Sequence, residues 1–209
     1  MKLIDLDSWN RKEHFLFFSS FANPTLGLVT EVDCTHAYEK AKTSNYSFFA
    51  YYMHKSMTAV NRVKAFKYRI IDNQVFELDL IHAGSTIGRK DGTFGFAYIP
   101  FSEDFKTFDL SLKKEIELVE GSAGLRLNSD DQKYDLIRHT TIPWITFTGL
   151  LHPTKLDKTD SVPKISFGKA NERNGKRFLP ISIEAHHGLV DGHHIAMYLE
   201  EFQKLLNAD

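Results

Sequence analysis

Apolar residues recur at helical spacing in four parts of the chain and alternate with polar ones in most of the rest. Residues 9–17 read as a first helix, capped by Asp7 or Ser8 and followed by a turn at Pro24. Phe49, Met53, Met57 and Val60 step by three and four residues and predict a helix over 48–63. A third helix fits 103–119, and Ile195, Leu199, Phe202 and Leu206 place a fourth at the C-terminal end. Between them, strands are expected at 28–34, 65–70, 75–78, near Ile81, and at 93–98, 142–150, 164–167 and 177–185. Asp72-Asn73 marks a hairpin turn, and 121–131 reads as a polar, mobile loop. Helices separated by several strands, some joined by short turns, favour an α/β two-layer sandwich with a mixed β-sheet over a regular βαβ array.

Composition narrows the function. With 209 residues, 42% of them hydrophobic, the chain can bury a substantial core, and one domain over 1–209 is expected. The 26 basic and 27 acidic residues are interspersed, so nothing suggests a nucleic-acid or membrane partner, and small molecules are the expected ligands. No apolar run approaches the roughly 20 residues that span a bilayer, and residues 1–7 lack a signal-peptide core, which predicts a cytoplasmic protein. The lone Cys34 rules out an internal disulfide framework and reads as a small core residue, with nothing beside it to activate a thiolate.

The chemistry is concentrated in Ile183-Glu184-Ala185-His186-His187-Gly188-Leu189-Val190-Asp191-Gly192-His193-His194. It falls at a strand-to-helix junction, where Gly192 is expected to permit a tight turn and the backbone can aim a side chain into a cleft. Three readings compete. Zinc is disfavoured because adjacent residues at a strand end point to opposite faces, so His186 and His187 would not share an ion, and no HExxH helix is present. The histidines could be plain core or surface groups with Asp191 as a helix cap. The third reading makes a neutral imidazole a general base near pH 7 for acyl transfer.

His186-His187-xxx-Asp191-Gly192, followed by a ring and a histidine, resembles the signature of the chloramphenicol acetyltransferase family. The segment from Trp9 to Phe15 resembles the amino-terminal segment of that family, and Thr140-Thr141-Ile142-Pro143-Trp144 its central one. HHxxxDG is shared with dihydrolipoamide acyltransferase cores and peptide-synthetase condensation domains, which are longer or multidomain. The resemblance implies an O-acetyltransferase with acetyl-CoA as co-substrate, no permanently bound cofactor, no metal and no covalent acyl-enzyme. It makes His187 the base that deprotonates the acceptor hydroxyl. Thr140 stands where the family usually has a serine that stabilises the tetrahedral oxyanion, and Asp191 would pair with Arg11 to fix the turn carrying His187. Ser166 would help hold a water near the intermediate, Lys169 would lie near the coenzyme, and Trp144 would line its channel.

The acceptor wall implied by the resemblance comprises Phe18, Ala22, Pro24, Phe94, Leu150 and His152, with Arg126 near one further position. Glu184 replaces a usual glutamine and His193 a usual aromatic residue. His152 and Arg126 would favour a more polar or anionic acceptor than chloramphenicol. The resemblance also implies a homotrimer with active sites between subunits, and the 17 Phe, 8 Tyr and 2 Trp suit either an aromatic interface or a Phe-rich core. Acetyl transfer to chloramphenicol or a similar hydroxylated molecule is the leading expectation. The alternatives are another acyl acceptor on the same machinery, or a non-catalytic trimer that binds the coenzyme.

Overall fold

The computed structural model describes residues 1–127, 134–153 and 157–208. Ten strands are placed there: β1 (Lys2–Leu3), β2 (Thr25–Asp33), β3 (Tyr68–Ile71), β4 (Gln74–Glu77), β5 (His82–Gly88), β6 (Phe94–Ile99), β7 (Leu136–Thr141), β8 (Lys164–Phe167), β9 (Asn171–Arg173) and β10 (Lys176–His186). The helices are α1 (Lys12–Ser19), α2 (Thr35–Thr43), α3 (Phe48–Arg62), α4 (Phe105–Glu120) and α5 (Gly192–Leu206), with a 3₁₀ turn over Lys64–Lys67. The main sheet runs β2-β10-β8-β7-β5-β6, with β9 also paired to β10, and a small sheet runs β1-β4-β3. β7 lies parallel to both β5 and β8, and the remaining pairs are antiparallel, so the sheet is mixed as expected.

Alternation along the central strands separates two faces of very different character. Ile181, Ile183, Ile165 and Phe167 are fully buried, and Phe167 meets Tyr52 of α3 and Phe202 of α5, which identifies the helix-covered face. His139 of β7 shares that face and stacks on Phe167 at 6.0 Å. Neither of its ring nitrogens finds a hydrogen-bond partner among the described residues. Burial draws its pKa down to about 4, offset only in part by the Gly84 and Ile137 carbonyls. On the opposite face the paired residues are polar: Thr140, Ser166 and Ser182 stand in one row across β7, β8 and β10, with Arg138, Lys164 and Glu184 in the next.

Arg69 fastens the two sheets together. It is fully buried, and its guanidinium donates to the carbonyls of Phe66, Tyr68, Tyr134 and Leu136 at 2.6–2.8 Å. Burial pulls its pKa to about 9, with Asp135 opposing the shift.

Several expected elements are displaced, each for a local reason. The first helix begins three residues later, because Asp7 is drawn to Lys12 at 2.5 Å and Ser8 to Asp5 at 2.8 Å instead of capping it. The strand expected over 142–150 is absent; the strand is β7, which ends at Thr141, where Pro143 removes a donor and the chain turns outward. Residues 65–67 form a 3₁₀ turn before β3. α2 has no counterpart in the sequence reading, since its buried stripe is only Ala37 and Ala41. Cys34 ends the predicted strand but serves as the N-cap position of α2; it is fully buried, which pushes its thiol to about 12. In the expected mobile loop, 128–131 lie outside the described residues. Residues 121–127 are irregular but tied down by Phe96 N–H to the Leu125 carbonyl and by Arg126.

Candidate active site

β10 runs straight into the His186-His187 pair, and the turn that follows is tight because Gly188 allows it. A Cβ on Gly188 would lie 3.0 Å from the His186 ring and 3.1 Å from the Phe15 backbone, so any side chain would force the turn open. Gly192, expected to be the turn residue, instead opens α5, with nothing crowding it and no left-handed backbone. Within the turn, Gly188 N–H donates to His186 Nδ1 at 3.1 Å, and His186 Nε2 meets the Lys158 carbonyl at 3.2 Å. Burial lowers the His186 pKa, the Lys158 carbonyl opposing, and this ring is occupied with structure.

His187 is placed differently. Its backbone N–H donates to the Pro24 carbonyl at 2.7 Å, and its ring stacks on Phe18 of α1 at 3.8 Å and 14°. Nδ1 is buried with no hydrogen-bond partner among the described residues, so ring orientation comes from stacking and not from a carboxylate.

Arg11 locks the turn from the far side. Its Nη1 donates to Asp191 Oδ2 at 2.5 Å, and its Nη2 to the His187 carbonyl at 3.3 Å. Asp191 also caps α5, accepting from the backbone N–H groups of His193 and His194, while His194 Nδ1 accepts the Asp191 N–H in a reciprocal capping box. Burial works against the Asp191 charge, but the Arg11 and His194 hydrogen bonds outweigh it and hold the carboxyl down to about 2. His193 is exposed and contributes only its backbone donor to this cap.

A second group lies on the polar face of the sheet. Ser166 Oγ meets His152 Nε2 at 2.9 Å, and His152 Nδ1 meets Glu184 Oε1 at 2.7 Å. Ser166, expected to hold a water, thus has its hydroxyl engaged with His152. Thr140 is its direct cross-strand neighbour and half-buried. The irregular segment 142–153 covers this face: Lys169 N–H donates to the Ile145 carbonyl at 2.7 Å, and the Phe147 ring packs against Gly168. Trp144 is 77% exposed and the Lys169 side chain is also exposed.

The sequence-predicted residues therefore form separate groups. Arg11, Phe18, Pro24, His187 and Asp191 converge at one end of β10, while Thr140, Leu150, His152 and Ser166 gather around its middle. His187 lies five residues beyond Ser182 and Thr140 two strands to the side, which puts them about 19 Å apart at ordinary strand rise and spacing. Phe94 is further away, on the edge strand β6 beside Phe96, and Ala22 and Pro24 line a small cavity with Lys164 and Glu184. Arg126 does not offer an anion site: Glu115 holds it at 3.1 Å and it also donates to the Phe96 carbonyl. His152 is bonded to the Glu184 carboxylate, so of the more polar or anionic acceptor expected from these two residues, the anionic part finds no free cationic partner in either. Glu184, read from the sequence only as the replacement of a usual glutamine, is buried, bonded to His152 and 3.7 Å from Lys164.

Comparison with known proteins places this arrangement. A family model described as chloramphenicol acetyltransferase matches residues 1–203. The chloramphenicol acetyltransferase of Staphylococcus aureus is 29% identical, the match covering 97% of this chain and 94% of that one. A solved chloramphenicol acetyltransferase superposes with a TM-score of 0.92 at 31% identity, over 98% of this chain and 99% of the other. A dihydrolipoamide acetyltransferase of Azotobacter vinelandii shares the fold at a TM-score of 0.68 and 16% identity, over 93% and 86% of the two chains.

Proposed function

The chain belongs to the chloramphenicol acetyltransferase family and is an acetyltransferase, and on that premise we propose that it moves an acetyl group from acetyl-CoA to a hydroxyl of chloramphenicol or a similar small molecule. The observation that carries this reading is the Phe18-stacked His187, clamped through its carbonyl by an Arg11 that Asp191 holds in place. In the proposed step His187 takes the acceptor's hydroxyl proton while the oxygen attacks the thioester carbon. Thr140 donates to the oxyanion of the tetrahedral intermediate. Collapse breaks the C–S bond, and the imidazolium returns its proton to the departing thiolate. No enzyme nucleophile is required, and Cys34 is too buried to supply one.

We further propose that the working unit is a homotrimer in which one subunit supplies His187 and its neighbour supplies Thr140. The separation of about 19 Å between them at standard strand geometry supports this, because no single substrate carbonyl reaches both. The apolar side chains left open on segment 142–153, Trp144, Ile145 and Leu151 at 77%, 58% and 90% exposure, suit a face that coenzyme and a second copy cover.

Thiol release from acetyl-CoA, followed with a thiol-reactive dye at neutral pH with and without chloramphenicol, tests the reaction. Acceptor-dependent release is expected. His187→Ala should lose about 10²-fold or more in kcat, and Thr140→Ala about as much through the oxyanion. A His187→Ala variant within tenfold of the parent would remove the base assignment. Sedimentation of the parent as a monomer at micromolar concentration would remove the shared site.

A further inference from the structure

Beside the Thr140–Ser166–Ser182 row lies a cavity of about 260 Å³, walled by Leu28, Val29, Leu150 and Leu151 with Ser182 and Glu184. The space exists because Gly27 pairs across the sheet with Glu184, and a side chain there would occupy it; even a Cβ would reach ordinary contact, 3.7 Å from Glu184 Cγ. The wall, part apolar and part polar through Asn23, Thr25 and Ser182, thus contains a single carboxylate, 6% exposed as a residue. Burial raises its pKa, but the His152 hydrogen bond and the His152 and Lys164 charges outweigh that, so it is ionised at neutral pH. Lys164 Nζ stands 3.7 Å away, beyond hydrogen-bond reach, which leaves lone pairs of the carboxylate open to a ligand.

We infer that Glu184, oriented by the Ser166–His152 hydrogen bonds, is a specificity-determining residue that selects acceptors carrying an ammonium group in this cavity. This rests on the acetyl-transfer reading for its function, though the binding it predicts does not depend on turnover. His152 engages one carboxylate oxygen and Lys164 stands 3.7 Å from the other without a hydrogen bond, so that oxygen keeps acceptor capacity for a donor in the cavity. The matching ligand places a cationic N–H donor against the carboxylate and apolar carbon against Leu28, Val29 and Leu150. His152 is a positioning residue here: with Ser166 on one nitrogen and Glu184 on the other, it fixes which way the carboxylate points.

Two probes that share a nitrophenyl ring and two hydroxyls separate the possibilities: chloramphenicol, whose nitrogen is acylated, and its deacylated amine, which is cationic at pH 7. Equilibrium binding of each, measured by titration calorimetry on the full-length protein with coenzyme A present, should favour the amine in the parent. Glu184→Gln should weaken the amine about tenfold or more and leave chloramphenicol within about threefold. His152→Leu should lower the amine preference, and His152→Gln, which keeps a donor to Glu184, should restore most of it. These two variants also decide the matter if Glu184→Gln does not fold. Undetectable binding of the amine to the parent, or equal weakening of both probes in the variants, overturns the assignment. Thiol release run alongside separates the two claims, since its absence with both probes sinks acetyl transfer to them while the binding ratio still judges the cavity.

Discussion

Replacing Asp191 by Asn isolates the charge of the Arg11 pair from the helix cap, because an Asn side chain caps a helix about as well as Asp. The Arg11 side chain is 11% exposed and the Asp191 side chain 30%, so the pair is only lightly screened. The Asp191 carboxyl moves from its ordinary 3.8 to about 2 on folding under Arg11 and His194 together, which corresponds to an upper bound of about 2 kcal/mol of stabilisation at neutral pH for the Arg11 pair. For a chain of this length that is a fall of about 5 °C in Tm. Asp191→Ala should add about 1 kcal/mol through loss of the cap. Because the folded pKa is depressed, the contribution is complete above about pH 4 and drains away as pH falls through 2. Urea titrations at fixed protein concentration, at pH 7 and again toward pH 3, measure the difference between parent and Asn variant. The gap should narrow on acidification. A variant within 0.5 kcal/mol of the parent at pH 7, or a gap that does not change with pH, would refute the idea that the ion pair holds this turn.

Three further outcomes follow from buried groups and from Thr140. Arg69→Met leaves four carbonyls without their donor and should cost about 3 kcal/mol or more in chemical denaturation. His139→Phe removes an unpaired imidazole while keeping a ring on Phe167. Since the unfolded chain takes up a proton below about pH 6.5 and the folded ring resists it until about 4, the parent should lose about 3 kcal/mol across that interval and the variant should not, as acid-induced unfolding would record. Thr140→Ser retains the hydroxyl and frees its rotamer, so kcat should stay within a few fold of the parent, in contrast to Thr140→Ala.

Periodicity revealed the long elements because their apolar residues recur regularly: α3 and α5 each carry an apolar stripe, and β10, though buried on both faces, alternates Leu179, Ile181 and Ile183 with Pro180, Ser182 and Glu184. α2 stayed hidden because alanines at 37 and 41 bury its inner face while everything else on it but Tyr38 is polar. The segment 142–150 misled for the opposite reason; its apolar residues resemble a buried strand, but Trp144 and Ile145 are left on the outside. Motif spacing brought out His187 and Asp191, which one local turn places, whereas Arg11, 180 residues from Asp191, was legible only through the family resemblance. The Ser166–His152–Glu184 chain was not legible, because it joins an irregular segment to two strands through contacts 14 and 32 residues apart.

The stacking of His187 on Phe18 bears on turnover in a way that a carboxylate partner would not. A ring held through its flat face is oriented alike whether or not it carries a proton, since its contact involves neither nitrogen. A base fixed by an ionic neighbour gains a proton at that neighbour's bidding and gives it up reluctantly. In the proposed step the same imidazole would receive a proton from an alcohol and hand it to a thiolate without moving, and the cycle would close with the protein unchanged.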